Sequence, residues 1–348
     1  MPLDASLVGI EPKQSPLITN AILTWSMNYV ACAVPTYIPM EKKYFDNTND
    51  AKPPPLHPLF VASVQEVIGA WAALYASGMS KPEVIKHSFV HYTYDAIFYD
   101  SGLAGDSLQT KVHLVGIGNR RSGGHFLTSN VTSNQKNNLI SKSWWGGVVL
   151  GLNSIDSVEK YLEHPPERPT IIVEPSNNNN IFLQSNSYDI DIPAAQAHLF
   201  DGCIRDPRNT KAPSSDINTH TNLDFALKGG LPGRTLNGMC LLSFVIGFLS
   251  HKMKQNVSIK MKNITNLDEI NLTLKQVGVT FGAPVVLDLV SISVHVDIVS
   301  QTYNIMNNDI IIHFNVITND GGKAIKNGYF IMNYDNTNSS MHSSNSKL

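Results

Sequence analysis

Residues 235–253 read TLNGMCLLSFVIGFLSHKM, and the fold turns on how so apolar a stretch is buried. It is too long for one strand and apolar on every side. It therefore reads as a helix that must be covered all round rather than along one stripe. Just upstream, residues 193–204 suggest a short helix. TNLDFALKG (221–229) suggests another, stopped by Gly229-Gly230. Downstream, VSIKMKNI (257–264), VVLDLVSISVHVDIV (285–299) and DIIIHFNVITN (309–319) read as strands. An Asn319-Asp320-Gly321-Gly322 turn then leads into AIKNGYFIMNYD (324–335). A helix apolar on all sides, followed by antiparallel strands, implies an α+β unit in which one curved sheet wraps the helix.

The N-terminal half follows the same programme. NAILTWSMNYVACAV (20–34) carries apolar groups at helical spacing, and LFVASVQEVIGAWAALYASG (59–78) is a second apolar helical stretch ending in Gly78. From His87 to Leu152 the texture becomes extended, with SLQTKVHLVGIG, HFLTSNVTSN and LISKSWWGGVVLG separated by polar turns. Between the halves lie HPPERP, EPSNNNN and QSNS, the composition of a linker. The layout predicts a first domain over 1–155, a linker over 156–190, a second domain over 191–336 and a flexible tail over 337–348.

A chain of 348 residues with 42% hydrophobic residues suits two domains with real cores. The net charge is −2 and the 26 Lys and Arg residues are scattered. No basic stripe of the kind that binds nucleic acid is present. No apolar run reaches the roughly 18 residues of a membrane span, and the first residues lack a secretory core. Cys32, Cys203 and Cys240 have neither paired nor metal-like spacing and read as reduced intracellular thiols. His91, His113, His125, His198 and His251 lack ligand spacing, so no metal is expected. Gly116, Gly118, Gly123 and Gly124 lie between strands and open no helix, which excludes a dinucleotide fingerprint. Arg120-Arg121 and Lys252 with Lys254 read as solvated basic faces ahead of phosphate ligands. Trp144-Trp145 reads as core.

Residues 216–244, DINTHTNLDFALKGGLPGRTLNGMCLLSF, resemble the catalytic segment of MaoC-like dehydratases and type-2 enoyl-CoA hydratases. That segment runs Asp-x-Asn-Pro-x-His, a Pro-Gly turn, then His-Gly-Met/Leu-Cys opening a long helix. Residues 277–288, 321–332 and 90–152 resemble further parts of the same family. The resemblance implies a double hot-dog fold, with the chemistry in the C-terminal half. It also implies an acyl-CoA thioester as substrate, no cofactor, and a (3R)-3-hydroxyacyl-CoA product. Carried over residue by residue, His220 is the acid/base and Asp216 its carboxylate partner. Asn218 orients substrate or water. Gly238, with Asn237 beside it, offers backbone N–H to the thioester oxygen.

The departures from the pattern are specific. The step from Asp216 to His220 is four rather than five, which brings Ser215 to the family's Asp position. Thr219 stands for the Pro and Asn237 for the second His. Asp201 and Asp206 are reserve carboxylates. These changes leave room for a non-catalytic acyl-CoA-binding protein or, less well matched, a thioesterase. The final Ser346-Lys347-Leu348 is the address read by the peroxisomal import receptor, which implies a peroxisomal protein. Hot-dog proteins commonly pair, so a homodimer is an open expectation.

Overall fold

The computed structural model describes residues 3–9, 17–39, 41–45, 53–61, 89–152, 159–171, 182–204, 219–261, 267–287, 291–304 and 306–335. The first half comprises β1 (Leu17–Asn20), α1 (Leu23–Ala33), β2 (Phe89–Phe98), β3 (Ser107–Arg120), β4 (Gly123–Ser133) and β5 (Leu139–Leu150). A two-residue strand, β6 (Lys160–Tyr161), follows. The second half comprises β7 (Ser187–Pro193), α2 (Ala194–Cys203), α3 (Leu223–Lys228), α4 (Gly238–Met261), β8 (Asn271–Phe281), β9 (Ser291–Asn304), β10 (Asp309–Thr318) and β11 (Lys323–Asp335).

The strands form one antiparallel sheet in the order β1-β3-β4-β5-β2-β8-β11-β10-β9-β7, with β6 on β3. The order is a palindrome of layout. Each half runs strand, helix, then four strands, of which the last three form a meander and the first returns to pair with the last (β2 with β5, β8 with β11); the halves join where β2 pairs β8 (Thr93↔Thr280 to Ile97↔Gln276). The duplication extends to small features. Pro55 bridges Leu103 and Thr235 bridges Val286, and each bridge stands three residues before a helix start, at Pro58 and Gly238.

The long helix α4 has 24 residues and is buried without interruption from Met239 to Ile246, then again at Phe248, Leu249 and Ser250. Over that stretch its apolar side chains have no solvent face, as their composition requires. The inner faces of the sheet cover it with Tyr94, Ala96, Val277, Val279, Ile310, Ile312 and Phe330, all fully buried. α1 and α2 belong to the same core.

The structure corrects one reading. VSIKMKNI is not a strand: α4 continues to Met261, with Val257 buried and Ile259 64% exposed, which no alternating strand would give. β7 pairs β9 from Ser187 onward, inside the span expected for the linker. The segment 159–171 of that span packs on the sheet. Its prolines hold it extended, and it straps the outer face of the sheet from one half to the other. Tyr161 pairs Gly116 on β3 and its hydroxyl meets His125 Nδ1 on β4 at 2.8 Å. Glu163 binds Lys142 at 2.6 Å and the Trp144 indole at 2.8 Å, both on β5. Arg168 reaches β2 and β8, and the Pro169 carbonyl accepts from His313 on β10 at 3.0 Å. The helix expected over 59–78 is described at its start, residues 58–61; its remainder lies outside the described residues.

Candidate active site

His220 sits in the turn of residues 219–221 ahead of α3. The helix is capped by Asn222, whose side chain accepts from the Phe225 N–H at 2.9 Å. Two hydrogen bonds tie this turn to the chain entering α4. The Thr235 N–H donates to the Thr219 carbonyl at 3.0 Å, and His220 Nδ1 donates to the Thr235 carbonyl at 2.7 Å. Because a carbonyl can only accept, Nδ1 carries the proton. In the neutral ring Nε2 then holds a lone pair. The Leu236 N–H donates to Val285 O and the Leu287 N–H to Arg234 O, each at 2.8 Å. These bonds clamp the entry of the long helix between the His220 turn and the segment after β8.

At the helix start, the Asn237 side chain accepts from the Met239 N–H at 2.9 Å, an N-cap that leaves the Gly238 N–H outside its reach. A helix N-terminus carries partial positive charge and unmatched N–H donors. Gly238 is small for a visible reason: a Cβ there would stand 3.0 Å from the Phe281 ring. Phe281 in turn lies 4.5 Å from the His91 ring, and His91 stacks on Trp145 at 4.5 Å and 22°. One wall of the site is therefore aromatic and built by both halves. Burial pushes His91 down to about 3, so its ring is neutral and serves as apolar surface; its Nε2 donates to the Thr93 carbonyl at 3.1 Å. Phe281 stands inside a stretch that carried the resemblance, but no sequence signal marks His91 as its neighbour.

Of the residues expected from sequence, the structure brings His220, Asn237 and Gly238 onto one clamped strap. Asp216, Asn218 and Asp206 lie outside the described residues, as does Ser346-Lys347-Leu348. Asp201 is buried on α2. The Cys240 thiol of α4's first turn is pushed up by burial and by the charge of Asp201. Lys254 does not form a solvated face. It is 3% exposed, with Nζ 2.9 Å from Glu41 Oε2, and Lys43 meets the same oxygen at 2.9 Å. Arg120 pairs with Glu159 at 3.2 Å. Trp145 belongs to the main core, while Trp144 packs with Val115 and Leu127 on the outer face. No group of three or more metal-ligating side chains occurs among the described residues.

The matching place in the first half carries different chemistry. Glu41 precedes Pro55 by almost the interval that separates His220 from Thr235. There it is held with Lys43 and Lys254 beside His57, which burial pushes down to about 4. A cavity of about 50 Å³ opens here, lined by Val30, Val34, Tyr44, Ser250 and Met332 among others. Burial opposes the charge of Glu41, but the two lysines outweigh it and hold the carboxyl below its usual range. A carboxylate locked between two ammonium groups is poorly placed to exchange protons.

Two mirrored α+β units sharing one sheet, with the long helix α4 buried against it, define a double hot-dog. The solved structures it resembles fall in the same class. A MaoC-like dehydratase matches with a TM-score of 0.62 at 12% identity, over 95% of this chain and 99% of the other. A MaoC-like dehydratase from Phytophthora capsici matches at 0.56 and 12%, over 92% and 97%. The peroxisomal multifunctional enzyme type 2 of Drosophila melanogaster matches at 0.55 and 15%, over 91% of this chain and 48% of that longer one. No family model matches the sequence. No curated protein sequence matches it either.

Proposed function

We propose that this protein is a hydro-lyase that interconverts a trans-2-enoyl-CoA and the (3R)-3-hydroxyacyl-CoA, working in peroxisomal fatty-acid metabolism. The observation that carries the reading is the His220–Thr235 hydrogen bond, which fixes the tautomer of the ring and holds it on the strap that opens α4. In the hydration direction His220 takes a proton from water as its oxygen bonds to the β carbon. The electron pair of the double bond moves toward the thioester, whose oxygen gains negative charge. The Gly238 N–H and the positive end of α4 stabilise that charge. The His220 imidazolium then returns that proton to the α carbon, which completes the addition and regenerates the neutral ring; Asp216 is the proposed carboxylate partner that supports the imidazolium, with Asn218 orienting the water. The aromatic wall of Phe281, His91 and Trp145 supplies apolar contact for the acyl group. The partners of this reading are the acyl-CoA substrate, the import receptor at Ser346-Lys347-Leu348 and a second copy of the chain.

A second reading is favoured by one sequence feature, Asn237 where the family has His, together with the shortened Asp216–His220 step. In it the fold binds acyl-CoA without turnover. The test is loss of enoyl-thioester absorbance with trans-2-enoyl-CoAs of graded chain length, wild type beside His220→Ala. Turnover that falls about 10²- to 10⁴-fold in His220→Ala supports the hydro-lyase. Binding without turnover at every chain length overturns it in favour of the binding protein. Peroxisomal import of the chain carrying an N-terminal fluorescent tag, lost on deleting the last three residues, tests the address separately.

A further inference from the structure

α1 and α2 are counterparts in the duplicated halves, and they are pinned to each other reciprocally. The third residue of α1, Trp25, donates from its indole to the Cys203 carbonyl at 2.6 Å. The third residue of α2, Gln196, donates to the Ala31 carbonyl at 3.1 Å and to the Val34 carbonyl at 2.5 Å. Each helix carries a cysteine at its tenth position, Cys32 and Cys203. The two sulfurs stand 3.3 Å apart, although the residues are 171 positions apart in the chain. Cys32 is buried and Cys203 is partly exposed. The third thiol, Cys240, is fully buried.

The asymmetry assigns roles. Solvent reaches Cys203, whereas Cys32 lies buried behind it, and the two share one S–H···S contact. A peroxide molecule therefore meets Cys203 first, since oxidation follows exposure, and Cys32 is the sulfur within reach of the product. The partner sulfur waits at van der Waals distance on a backbone held by three hydrogen bonds.

We propose that Cys32 and Cys203 form a peroxide-responsive dithiol, in which Cys203 is the attacking sulfur, Cys32 the resolving one, and the product a disulfide joining the two halves of the molecule. The Cys203 thiolate attacks one oxygen of hydrogen peroxide. The O–O bond breaks, Cys203 becomes a sulfenic acid and hydroxide leaves. Cys32 then attacks the Cys203 sulfur as its proton leaves. An S–S bond forms and the sulfenic oxygen departs as water. Overall two thiols are oxidised by two electrons and one peroxide is reduced to two waters. The sulfurs need to close from 3.3 Å to about 2.0 Å, a movement of side-chain size.

The inference is independent of any reading of His220, and its test needs no substrate. The reduced full-length protein is treated with hydrogen peroxide, denatured in N-ethylmaleimide and mapped by mass spectrometry. Titratable thiols should fall from three to one, Cys240 alone should be alkylated, and a Cys32–Cys203 linked peptide should appear and vanish with dithiothreitol. In Cys32→Ser, the Cys203 sulfenic acid should persist and react with dimedone, which leaves the wild type unlabelled. The proposal is overturned if the wild type keeps three alkylatable thiols under peroxide. It is equally overturned if Cys203 advances to the sulfinic acid while Cys32 remains a free thiol.

Discussion

His220 Nδ1 donates to the carbonyl of Thr235 at 2.7 Å, so one main-chain oxygen fixes both the tautomer of the ring and its place on the strap that opens α4. A side chain that keeps the N–H but has no basic nitrogen separates the two roles. His220→Gln should lose about 10²- to 10⁴-fold in kcat/KM on an enoyl-CoA, with circular dichroism and melting temperature close to wild type.

Gly238 and Phe281 are in contact, and a Cβ at 238 would press the ring at 3.0 Å. Gly238→Ala should therefore displace Phe281 or the helix start by a few tenths of an ångström. Misplacement of that kind next to reacting groups costs up to roughly 10²-fold. The check is whether Gly238→Ala with Phe281→Leu recovers part of the lost kcat/KM; no recovery would put the defect elsewhere.

Asp95 and Arg168 make a two-pronged ion pair, with Nε–Oδ1 and Nη2–Oδ2 both 3.1 Å. The Asp95 side chain is 2% exposed. Arg168 also donates to the Val279 carbonyl at 3.0 Å and the Asn327 carbonyl at 3.1 Å. Removing the cation leaves a buried carboxylate alone. Arg168→Ala should cost about 3–5 kcal/mol of stability in urea unfolding. Asp95→Asn with Arg168→Met should cost clearly less, because no charge is then stranded.

Burial pushes His91 down to about 3 from the ordinary value near 6.5. The unfolded chain takes up this proton below about pH 6.5, whereas the folded chain refuses it until far lower. This contribution to stability is complete above pH 6.5 and is lost as the solution is acidified. His91→Phe keeps an aromatic ring in the stack and removes the proton. Its stability should fall less steeply with acid than wild type, by about 1.4 kcal/mol per pH unit between about pH 6 and 4. His57 and His125, held down by burial at about 4 and about 3, add slope of the same sign.

Lys254 stands sixteen residues beyond Gly238 on α4, about 24 Å along the axis. Lys254→Met should lower stability by about 1–3 kcal/mol, because the buried Glu41 then loses one of its two ammonium partners. It should leave kcat on enoyl-CoA unchanged. A large loss of turnover would tie the first half's ion cluster to the chemistry.

The helices and meanders were legible because their signals are local. An apolar run too long for a strand must be a buried helix, and α1, α2 and α3 fell within a few residues of their expected bounds. What escaped depends on distant partners. The pairing of β2 with β8 joins segments about 180 residues apart, and the closeness of Cys32 and Cys203 has no spacing to betray it. Lys254 looks like a surface cation until Glu41 is brought to it. VSIKMKNI alternates like a strand, yet the packing of α4 overrides that pattern. At the site, the residues of the Gly-Met-Cys helix start and His220 could be named from the sequence. The aromatic wall could not, because Trp145, His91 and Phe281 come from three strands.

The β2–β8 seam also sets the order of events during synthesis. β2 closes its pairing with β5 as soon as residue 150 has emerged. Its other edge finds its partner when residues 276–280 arrive. Until then the nascent chain carries an open strand edge in the middle of its future sheet, the kind of edge that pairs with neighbouring chains. A ribosome-bound intermediate ending between residues 150 and 270 should therefore bind holding chaperones, and release from them should follow synthesis of β8.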